Sequence, residues 1–540
     1  MPALGRESPA DGLALIDDST LPCPLRRLTT RNDHGTLPHI APERMSHDTP
    51  KEPFDAAIIG GGPAGAAAAR CLASWGHTTV LLARRPGILA IAESLPPSCL
   101  SVLERIGVRA AVERAGFLRA TGNTVWWGAA ESRPEHFASD SLGFQIDRAA
   151  FDRLLLTEAT AAGVLVRIGS PVADVAFEAN GARIQYDSNG ASDEIRARWV
   201  LDCTGRSGLL ARRGWRVAQS STRTLALVGV WEAATGFDID DASHTLVESY
   251  EGGWAWSVPV TATRRFFTVM VDPALTPVSG GDKLESAYNT ELARTTHLQR
   301  IARRGVLTGA PWARDASPYS CTRAGERSRL LVGDAASFVD PLSSYGVKKA
   351  LASAWLAAVV VHTSLTDEAM RSPALELYDR REQAMYQSLA RRSAALSREA
   401  AEAHATSFWQ ARSLDDAPAG DNDADIAALR EDPEVLVAFA EIRRRSSIVL
   451  RRGAAVNEVM RPTVRDNRVI LEPHLCAPAF TEGVRYLRNV DLMTIERLAT
   501  QHDQVPSLYE AYSRAHAPVP LPDFLGALSV LVGKGLLELH

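Results

Sequence analysis

The stretch "FDAAIIGGGPAGAAAARCLASWGHTTVLLARR", residues 54–85, decides the fold. It begins with an apolar run at residues 56–59 that predicts a buried strand. A turn, Gly60-Gly61-Gly62-Pro63-Ala64-Gly65, follows, and an alanine-rich helix leads to a second strand at residues 79–82. This order of strand, turn, helix and strand is the context in which a Gly-x-Gly-x-x-Gly turn binds a dinucleotide.

Each glycine of the turn has a predicted role. Gly60 permits the tight turn, Gly62 lets a pyrophosphate approach the backbone, and Gly65 lets the helix pack closely on the strand. The turn, with Ala64, opens a helix whose N-terminal N–H groups attract phosphate. The acid that usually ends the second strand and holds the ribose is missing, because Ala83-Arg84-Arg85 stands there. We therefore expect other groups to bind the ribose.

Composition limits the classes of function. A chain of 540 residues is long enough for two to four domains, and a net charge of −5 gives no reason to expect nucleic acid or a membrane as partner. The six cysteines are widely scattered without a Cys-x-x-Cys pair, which favours reduced thiols in the cytoplasm and indicates no metal site.

Changes in sequence pattern divide the chain. The core is predicted to be an α/β domain with an inserted antiparallel sheet, whose substrate side spans about 100–145 and 220–300. The predicted parts are a disordered leader at 1–52, where Met45 is an alternative start, a core at 53–365, a helical region at 366–460 with an acidic linker at 414–425, and a small domain at 461–540.

Three further stretches identify the nucleotide class. They are "FQIDRAAFDRLLL" (144–156), "WVLDCTG" (199–205) and "RLLVGDAASFVDPLSSYGVKKAL" (329–351). With the glycine turn they resemble the FAD-dependent monooxygenase and halogenase superfamily, which has the fold of p-hydroxybenzoate hydroxylase.

The resemblance implies FAD as the cofactor, with Arg148 and Asp334 in contact with it. It also implies that a loop with Pro341 leads to a helix, begun by Gly346 and Val347, whose N-terminus faces the isoalloxazine ring and stabilises negative charge there.

A pair of tryptophans raises the question of activity. In "EGGWAWSVPV" (251–260), Trp254 and Trp256 lie on one face of a predicted strand, where they either fill a core or wall a pocket. The run Trp-Ala-Trp-Ser-Val-Pro resembles the Trp-x-Trp-x-Ile-Pro motif of the flavin-dependent halogenases. That resemblance implies that both indoles lie in the passage between flavin and substrate.

Two differences from the halogenases favour hydroxylation. Those enzymes need a lysine to direct hypohalous acid, and in "LRATGNTVWWG" (118–128) Arg119 occupies its expected position. A guanidinium cannot readily replace that ammonium group. Tyr345 would also crowd a halide. We therefore expect oxygen transfer through a flavin hydroperoxide. Glu93 is a candidate acid–base group for the substrate ring, unless it is a solvated carboxylate at a helix start.

The last 75 or so residues show a pattern that is typical of a winged helix. A strand at 468–471 precedes a helix, "DLMTIERLAT" carries Leu492, Ile495 and Leu498 on one face, and a last helix leads to a short strand. This pattern resembles the peptide-recognition domains of enzymes that modify ribosomally made peptides. A cap without a ligand is the alternative.

The whole chain resembles the flavoprotein monooxygenases of quinohemoprotein amine dehydrogenase biogenesis, which act in forming cysteine tryptophylquinone. This implies a precursor polypeptide, the small subunit of a quinoprotein, as substrate, with dioxygen and electrons from NAD(P)H or a separate flavin reductase. A halogenase of a tryptophan-like or carrier-bound aromatic, and a non-catalytic flavoprotein that docks a precursor peptide, are the alternatives.

Overall fold

A computed structural model describes residues 52–413, 429 and 431–540, with short gaps at 86, 88–90, 129–130, 219–221, 279–281 and 344. The predicted leader, apart from Glu52, and the predicted acidic linker lie outside the described residues. The chain forms two compact units. Of the described residues, the larger contains those within 52–413 and 462–470, and the smaller contains those within 429–461 and 471–540.

The larger unit begins with the strand, turn and helix that the glycine motif predicts. Its first elements are β1 (Phe54–Ile59), α1 (Pro63–Ser74), β2 (Thr79–Ala83), β3 (Ala92–Leu95), α2 (Leu100–Ile106), α3 (Arg109–Arg114), β4 (Leu118–Ala120), β5 (Gly122–Trp126), β6 (Arg133–His136), β7 (Gly143–Asp147), α4 (Arg148–Ala161) and β8 (Leu165–Ile168).

Short strands dominate the middle of the unit. They are β9 (Val172–Glu178), β10 (Gly181–Ser188), β11 (Ala191–Asp202), β12 (Arg216–Ala218), β13 (Leu225–Glu232), β14 (Thr245–Tyr250), β15 (Gly253–Thr261) and β16 (Arg264–Val271). Two helices and five strands come next: α5 (Asp282–Arg294), α6 (His297–Ala302), β17 (Val306–Leu307), β18 (Trp312–Asp315), β19 (Tyr319–Cys321), β20 (Gly325–Glu326) and β21 (Arg329–Leu331). Three helices close the unit: α7 (Gly346–Thr366), α8 (Arg371–Ala403) and α9 (Ser407–Arg412).

The first sheet is the predicted nucleotide-binding sheet. Its strands follow the order β20-β21-β11-β1-β2-β8, and β21, β11, β1, β2 and β8 run parallel. Helices α1 and α7 pack against each other. In β1, residues 56–59 are buried and form a continuous apolar run, whereas Asp55 is partly exposed. The predicted α/β fold class is confirmed.

The second sheet confirms the predicted antiparallel insertion. Its order is β17-β13-β16-β15-β14-β5-β6, and β18 pairs with β13. Strands β13, β16, β15 and β14 pair antiparallel, whereas β5 pairs parallel with β14. The ranges predicted for this sheet also contain helices α2, α3, α5 and α6. The third sheet has the order β3-β7-β4. Glu93 lies in β3, and Arg148 begins the helix α4 that directly follows β7.

Two composition-based expectations concern membranes and thiols. Among the described helices, α7 is long and apolar enough to span a membrane, but 83% of that stretch is buried inside the protein, as in a core helix. Cys71, Cys99, Cys203, Cys321 and Cys476 are free thiols, as the scattered cysteine pattern predicts.

A histidine pair links α7 to the start of β2. The Nε2 atom of His77 lies 2.8 Å from Nδ1 of His362, and Nδ1 of His77 lies 4.0 Å from a carboxylate oxygen of Asp55. Burial, with smaller contributions from the neighbouring His77 and Arg468, lowers the pKa of His362 to about 4. The folded protein therefore keeps His362 neutral.

We expect this pair to make stability depend on pH. The pKa of His362 in the folded state lies below the unfolded value of ~6.5, so the unfolded state binds more protons as pH falls from ~6.5 toward 4. The contribution of neutral His362 to the free energy of unfolding is complete above this pH window. As pH falls through the window, we expect the free energy of unfolding of the wild type to decrease by about 3 kcal/mol.

Urea unfolding at several pH values should show that the free energy of unfolding of His362→Gln decreases less over the same window. The control His297→Gln removes a histidine stacked on Trp126 in the same unit. Equal pH profiles for His362→Gln and wild type would contradict the prediction.

The smaller unit combines helices with short strands. Its part of the chain forms α10 (Pro433–Arg444), β22 (Leu450–Arg452), β23 (Asn457–Arg465), β24 (Arg468–Ala477), β25 (Phe480–Val484), β26 (Tyr486–Leu487), β27 (Val490–Asp491), α11 (Leu492–Ala499), α12 (Val505–Ala515), α13 (Leu521–Gly533) and β28 (Leu537–Leu539). Residues 462–470, which include the end of β23 and the start of β24, belong to the larger unit. The predicted final strand is present and pairs with β22. In α11, Leu492 and Ile495 are fully buried and Leu498 is partly buried.

Three details differ from the sequence-based expectation. Helix α10, inside the predicted helical region at 366–460, packs against α13, so the smaller unit begins before residue 461. The strand predicted at 468–471 extends to Ala477 and pairs with β25, so a second strand follows it instead of a helix. Local periodicity did not show this pairing because the partner strands alternate polar and apolar residues irregularly.

Candidate functional site

A cavity of about 1040 Å³ lies where the parallel strands of the first sheet end and the second sheet begins. A crevice at the carboxyl ends of parallel strands is the usual ligand site of such sheets. It brings together most of the predicted site residues: Gly60, Gly62, Ala64, Glu93, Arg148, Trp254, Trp256, Asp334, Pro341, Gly346 and Val347. Two predicted residues, Gly65 and Arg119, do not line it.

The glycine turn has the geometry that its spacing predicts. Gly60 has a φ of +115°, and a Cβ atom there would lie 2.3 Å from the carbonyl oxygen of Cys203. A Cβ atom on Gly65 would lie 1.9 Å from the carbonyl oxygen of Gly60, so the close approach of α1 to β1 requires glycine. A Cβ atom on Gly62 would meet nothing within 4 Å. Because α1 has no side-chain N-cap, its first N–H groups remain available to an anion in the cavity.

Arg148 and Glu93 form an ion pair at the cavity wall. An Nη atom of Arg148 lies 2.5 Å from Oε1 of Glu93, and its Nε donates to Asp152 at 3.1 Å. Burial raises the pKa of Glu93, and the Arg148 guanidinium offsets this only in part. Burial lowers the pKa of Arg148, but the two carboxylates outweigh it and the net shift is upward. The pair fixes both side chains while each stays about a quarter exposed to the cavity.

The start of α7 offers a second set of backbone donors. Gly346 lines the cavity, and no side chain caps the helix there. A Cβ atom on Gly346 would lie 3.9 Å from Oε2 of Glu93, so the carboxylate stands beside this helix end. The first turn of α7 therefore presents unpaired N–H groups and the positive end of its dipole to a ligand.

Lys349, in the same first turn of α7, is a residue that the sequence reasoning missed. Its ammonium group donates to the carbonyl oxygen of Gly333 at 3.2 Å and to that of Ser337, and it lies 3.4 Å from a carboxylate oxygen of Asp334. The side chain is 4% exposed. Lys349 therefore holds the turn that carries Asp334. The pair Lys348-Lys349 was visible in the quoted stretch, but nothing in the sequence said which lysine points inward.

The tryptophan pair forms an apolar wall. The rings of Trp254 and Trp256 stack with centroids 4.7 Å apart and 26° between their planes. Trp254 is 2% exposed and belongs to a buried aromatic cluster, whereas Trp256 is half-buried. Both line the cavity. The sequence left open whether the pair fills a core or walls a pocket. In the structure Trp254 does both, because it packs in a core and also lines the cavity.

The structure does not bring Arg119 to the cavity. Its side chain is exposed, lies over the ring of Phe144 at 4.2 Å, and donates to the carbonyl oxygen of Leu142. Strand β4 alternates its faces, so the buried Ala120 points the opposite way. Arg119 therefore does not stand in the passage beside the indoles.

Asp340 is a second missed residue. It is 6% exposed and accepts a hydrogen bond from the N–H of Leu342 at 3.1 Å. Burial raises its pKa to about 6, although the Leu342 N–H, Arg412 and the indole of Trp254 oppose the shift. The dipeptide Asp340-Pro341 stands in the quoted loop, but only the fold brings this carboxyl group beside Trp254.

The family described as the FAD binding domain matches residues 54–393. The chain belongs to this FAD-binding family. FAD is therefore its cofactor, and the cavity fits it, because two helix N-termini, a glycine turn with open space at Gly62, and the cation Arg148 face one volume.

Several known proteins are similar to this member of the FAD-binding family. "Tryptophan 2-halogenase" of Chondromyces crocatus is 31% identical over 341 residues, which is 60% of this chain and 64% of the relative. The myxobacterial chondrochloren halogenase CndH is 28% identical with a TM-score of 0.62, over 67% of this chain and 86% of CndH. The peptidyl tryptophan dihydroxylase QhpG shares the fold, with a TM-score of 0.64 and 23% identity over 90% of this chain and all of QhpG.

Proposed function

We propose that this FAD-binding protein is a monooxygenase that hydroxylates an aromatic ring, namely the indole of a tryptophan residue in a precursor polypeptide. The observation that carries the proposal is the lining of the cavity. One wall consists of the stacked indoles of Trp254 and Trp256, and no uncommitted ammonium group reaches it from the described residues.

In this proposal the residues of the first sheet hold the cofactor. The turn from Gly60 to Gly65 and the start of α1 bind the pyrophosphate, Arg148 and Asp334 contact the flavin nucleotide, and the start of α7 faces the isoalloxazine ring. Pro341, Gly346 and Val347 shape the loop at that ring. When bound and reduced, FAD supplies the activation of dioxygen to an electrophilic oxygen.

The side chains around the indole pair serve the oxygen transfer. The wall of Trp254 and Trp256, continued by apolar residues such as Val258 and Phe266, excludes water and holds an aromatic ring near the flavin. Glu93 has a raised pKa and faces the cavity beside the start of α7, where it can accept a proton from the ring nitrogen of the substrate.

The lysine at the cavity does not have an ammonium group available for halogen transfer. Halogenases use a lysine between flavin and substrate, as the resemblance implies. Among the described residues that line the cavity, Lys349 is the one lysine, and two carbonyl groups and Asp334 occupy its ammonium group. Strand β4 contributes no lysine either, because Arg119 faces outward and its neighbours are Leu118 and Ala120.

Halogenation of a tryptophan-like or carrier-bound aromatic is the second candidate. The similarity to a tryptophan 2-halogenase at 31% identity favours it. Because this chain spans 64% of that relative, the activity of the whole relative does not transfer directly.

One experiment separates the two activities. The FAD-loaded enzyme is combined with a flavin reductase, air, bromide and the small-subunit precursor of a tryptophylquinone protein from the same genome. Mass spectrometry should show oxygen added to one tryptophan of the precursor, independently of bromide. Trp215→Phe, which changes an indole in contact with Arg323 and Arg329, serves as a control with unchanged yield. Incorporation of bromine would reject hydroxylation, and an unchanged precursor would reject the peptide substrate.

A further inference from the structure

Four indole rings form a continuous series that begins at the cavity wall. Trp256 stacks on Trp254 at 4.7 Å between centroids, Trp254 meets Trp127 edge to face at 6.4 Å, and Trp127 meets Trp409 at 5.4 Å. Of the 11 tryptophans in the chain, these four come from β15, from the position directly after β5 and from α9. Segments distant in sequence therefore converge to build one line of indoles.

The inner rings are buried and held in fixed orientations. Trp254, Trp127 and Trp409 are 2%, 3% and 0% exposed. The indole N–H of Trp127 donates to the carbonyl oxygen of Leu396 at 2.9 Å, and that of Trp409 donates to the carbonyl oxygen of Tyr250 at 2.8 Å. Contact distances and rigid orientation are what electron transfer between aromatic rings requires.

The last ring of the series is one hydrogen bond from the backbone of Tyr250, because the indole N–H of Trp409 donates to the carbonyl oxygen of that residue. The phenol of Tyr250 is in turn paired with a base. The hydroxyl of Tyr250 donates to Oε2 of Glu291 at 3.0 Å, and Arg294 lies 3.2 Å from the other oxygen of the same carboxylate. Burial raises the pKa of Tyr250 well above its usual value, and Glu291 adds to this, so the phenol stays protonated at neutral pH. Oxidation of such a phenol is favourable because its proton has an acceptor in place.

We propose that Trp256, Trp254, Trp127 and Trp409 form a redox chain that carries one-electron oxidising equivalents from the flavin cavity to Tyr250. Without substrate, dioxygen that takes one electron from the reduced cofactor gives a one-electron oxidant of the hydroperoxyl class. This oxidant takes one electron from Trp256 and one proton from solvent and leaves as hydrogen peroxide. Each oxidised indole then takes an electron from the next indole in the series. Tyr250 finally loses an electron, and its phenolic proton moves to Glu291, leaving a neutral tyrosyl radical and a protonated carboxyl group.

Packing alone does not require this composition. Leucine or phenylalanine also fills apolar volume, but lacks the N–H with which Trp127 and Trp409 bond buried carbonyl groups. Indole and phenol are, in addition, the side chains that donate single electrons most readily. The chain of rings diverts oxidising equivalents from the substrate site. The inference rests on the proposed function only for the source of the oxidant.

Pulse radiolysis of the full-length, FAD-loaded protein tests the chain with an external oxidant. Azidyl radicals oxidise indoles, and transient absorption distinguishes tryptophanyl from tyrosyl radicals. In the wild type we expect the tryptophanyl signal to decay while a tyrosyl signal grows, at a first-order rate independent of protein concentration. Trp127→Phe should slow this step by an order of magnitude or more. Tyr250→Phe should remove most of the tyrosyl signal and leave formation of the tryptophanyl signal unchanged.

The controls keep the test decisive. Trp215→Phe removes an indole that contacts Arg323 and Arg329 and lies outside the series, so the transfer rate should be unchanged. If Trp127→Phe fails to fold, Tyr250→Phe and Trp409→Phe test the same path at its far end. Equal kinetics in wild type, Trp127→Phe and Tyr250→Phe would overturn the proposal. Because no substrate is present, that result would leave the proposed hydroxylation untouched.

Discussion

Replacing Gly65 with alanine should abolish FAD binding and lower the free energy of unfolding by about 4 kcal/mol or more. The added Cβ atom would lie 1.9 Å from the carbonyl oxygen of Gly60 and 3.2 Å from the side chain of Cys203. Both neighbours directly follow strands of the first sheet, Gly60 after β1 and Cys203 after β11, so neither can move without disturbing the contact of α1 with the sheet. Urea unfolding and titration with FAD, followed by flavin fluorescence, measure the two losses.

Gly62→Ala is the matched variant, because it adds the same methyl group two residues from Gly60 in the same turn. Its Cβ atom would meet no protein atom within 4 Å, so the free energy of unfolding of the FAD-free protein should change by less than about 0.5 kcal/mol. FAD affinity should fall about tenfold or more, equal to about 1.4 kcal/mol, because the methyl group occupies the space of the pyrophosphate. Equal FAD affinity in Gly62→Ala and wild type would contradict the assignment of this turn to the phosphates.

The parts of the site that sequence predicted are those fixed by local geometry. A glycine turn between a buried strand and a helix has one stereochemical solution, so the spacing of Gly60, Gly62 and Gly65 was sufficient. Arg148 was placed correctly at a helix start, because Asp147 caps that helix by accepting from the N–H of Ala150. Strand alternation likewise put Trp254 and Trp256 on one face.

The parts that sequence missed depend on contacts between distant segments. Arg119 was assigned by its distance from a motif, but a shift of one residue in a strand reverses the face of every side chain. Trp409 lies more than 150 residues after Trp254, in a helical region where nothing indicated an aromatic partner. Asp340 gains its raised pKa from burial beside Trp254 and Arg412, which only the tertiary structure produces.

Trp256→Ala should have the largest effect on the proposed oxygen transfer. Trp256 is the half-buried member of the pair, so its removal opens the apolar wall to water with less damage to the core than removal of Trp254 would cause. We expect the yield of hydroxylated product per reduced FAD oxidised to fall by about 10²-fold, because water enters and the substrate ring loses its position. The dioxygen consumed should instead appear as hydrogen peroxide, measured by a peroxidase assay beside mass spectrometry of the product.

The variant Trp256→Phe distinguishes the role of Trp256 in the cavity wall from its role in the proposed redox chain. Phenylalanine keeps an apolar ring against Trp254, so product yield should stay within about tenfold of the wild type. Phenylalanine does not donate an electron as readily as an indole does. The tyrosyl signal of the Trp256→Phe variant after oxidation at the cavity should therefore be smaller than that of the wild type. FAD affinity should be unchanged in both variants, since the glycine turn and Arg148 are intact. If Trp256→Ala kept full product yield without added peroxide, the indole wall would have no part in the reaction, and its likeness to the halogenase motif would reflect packing alone.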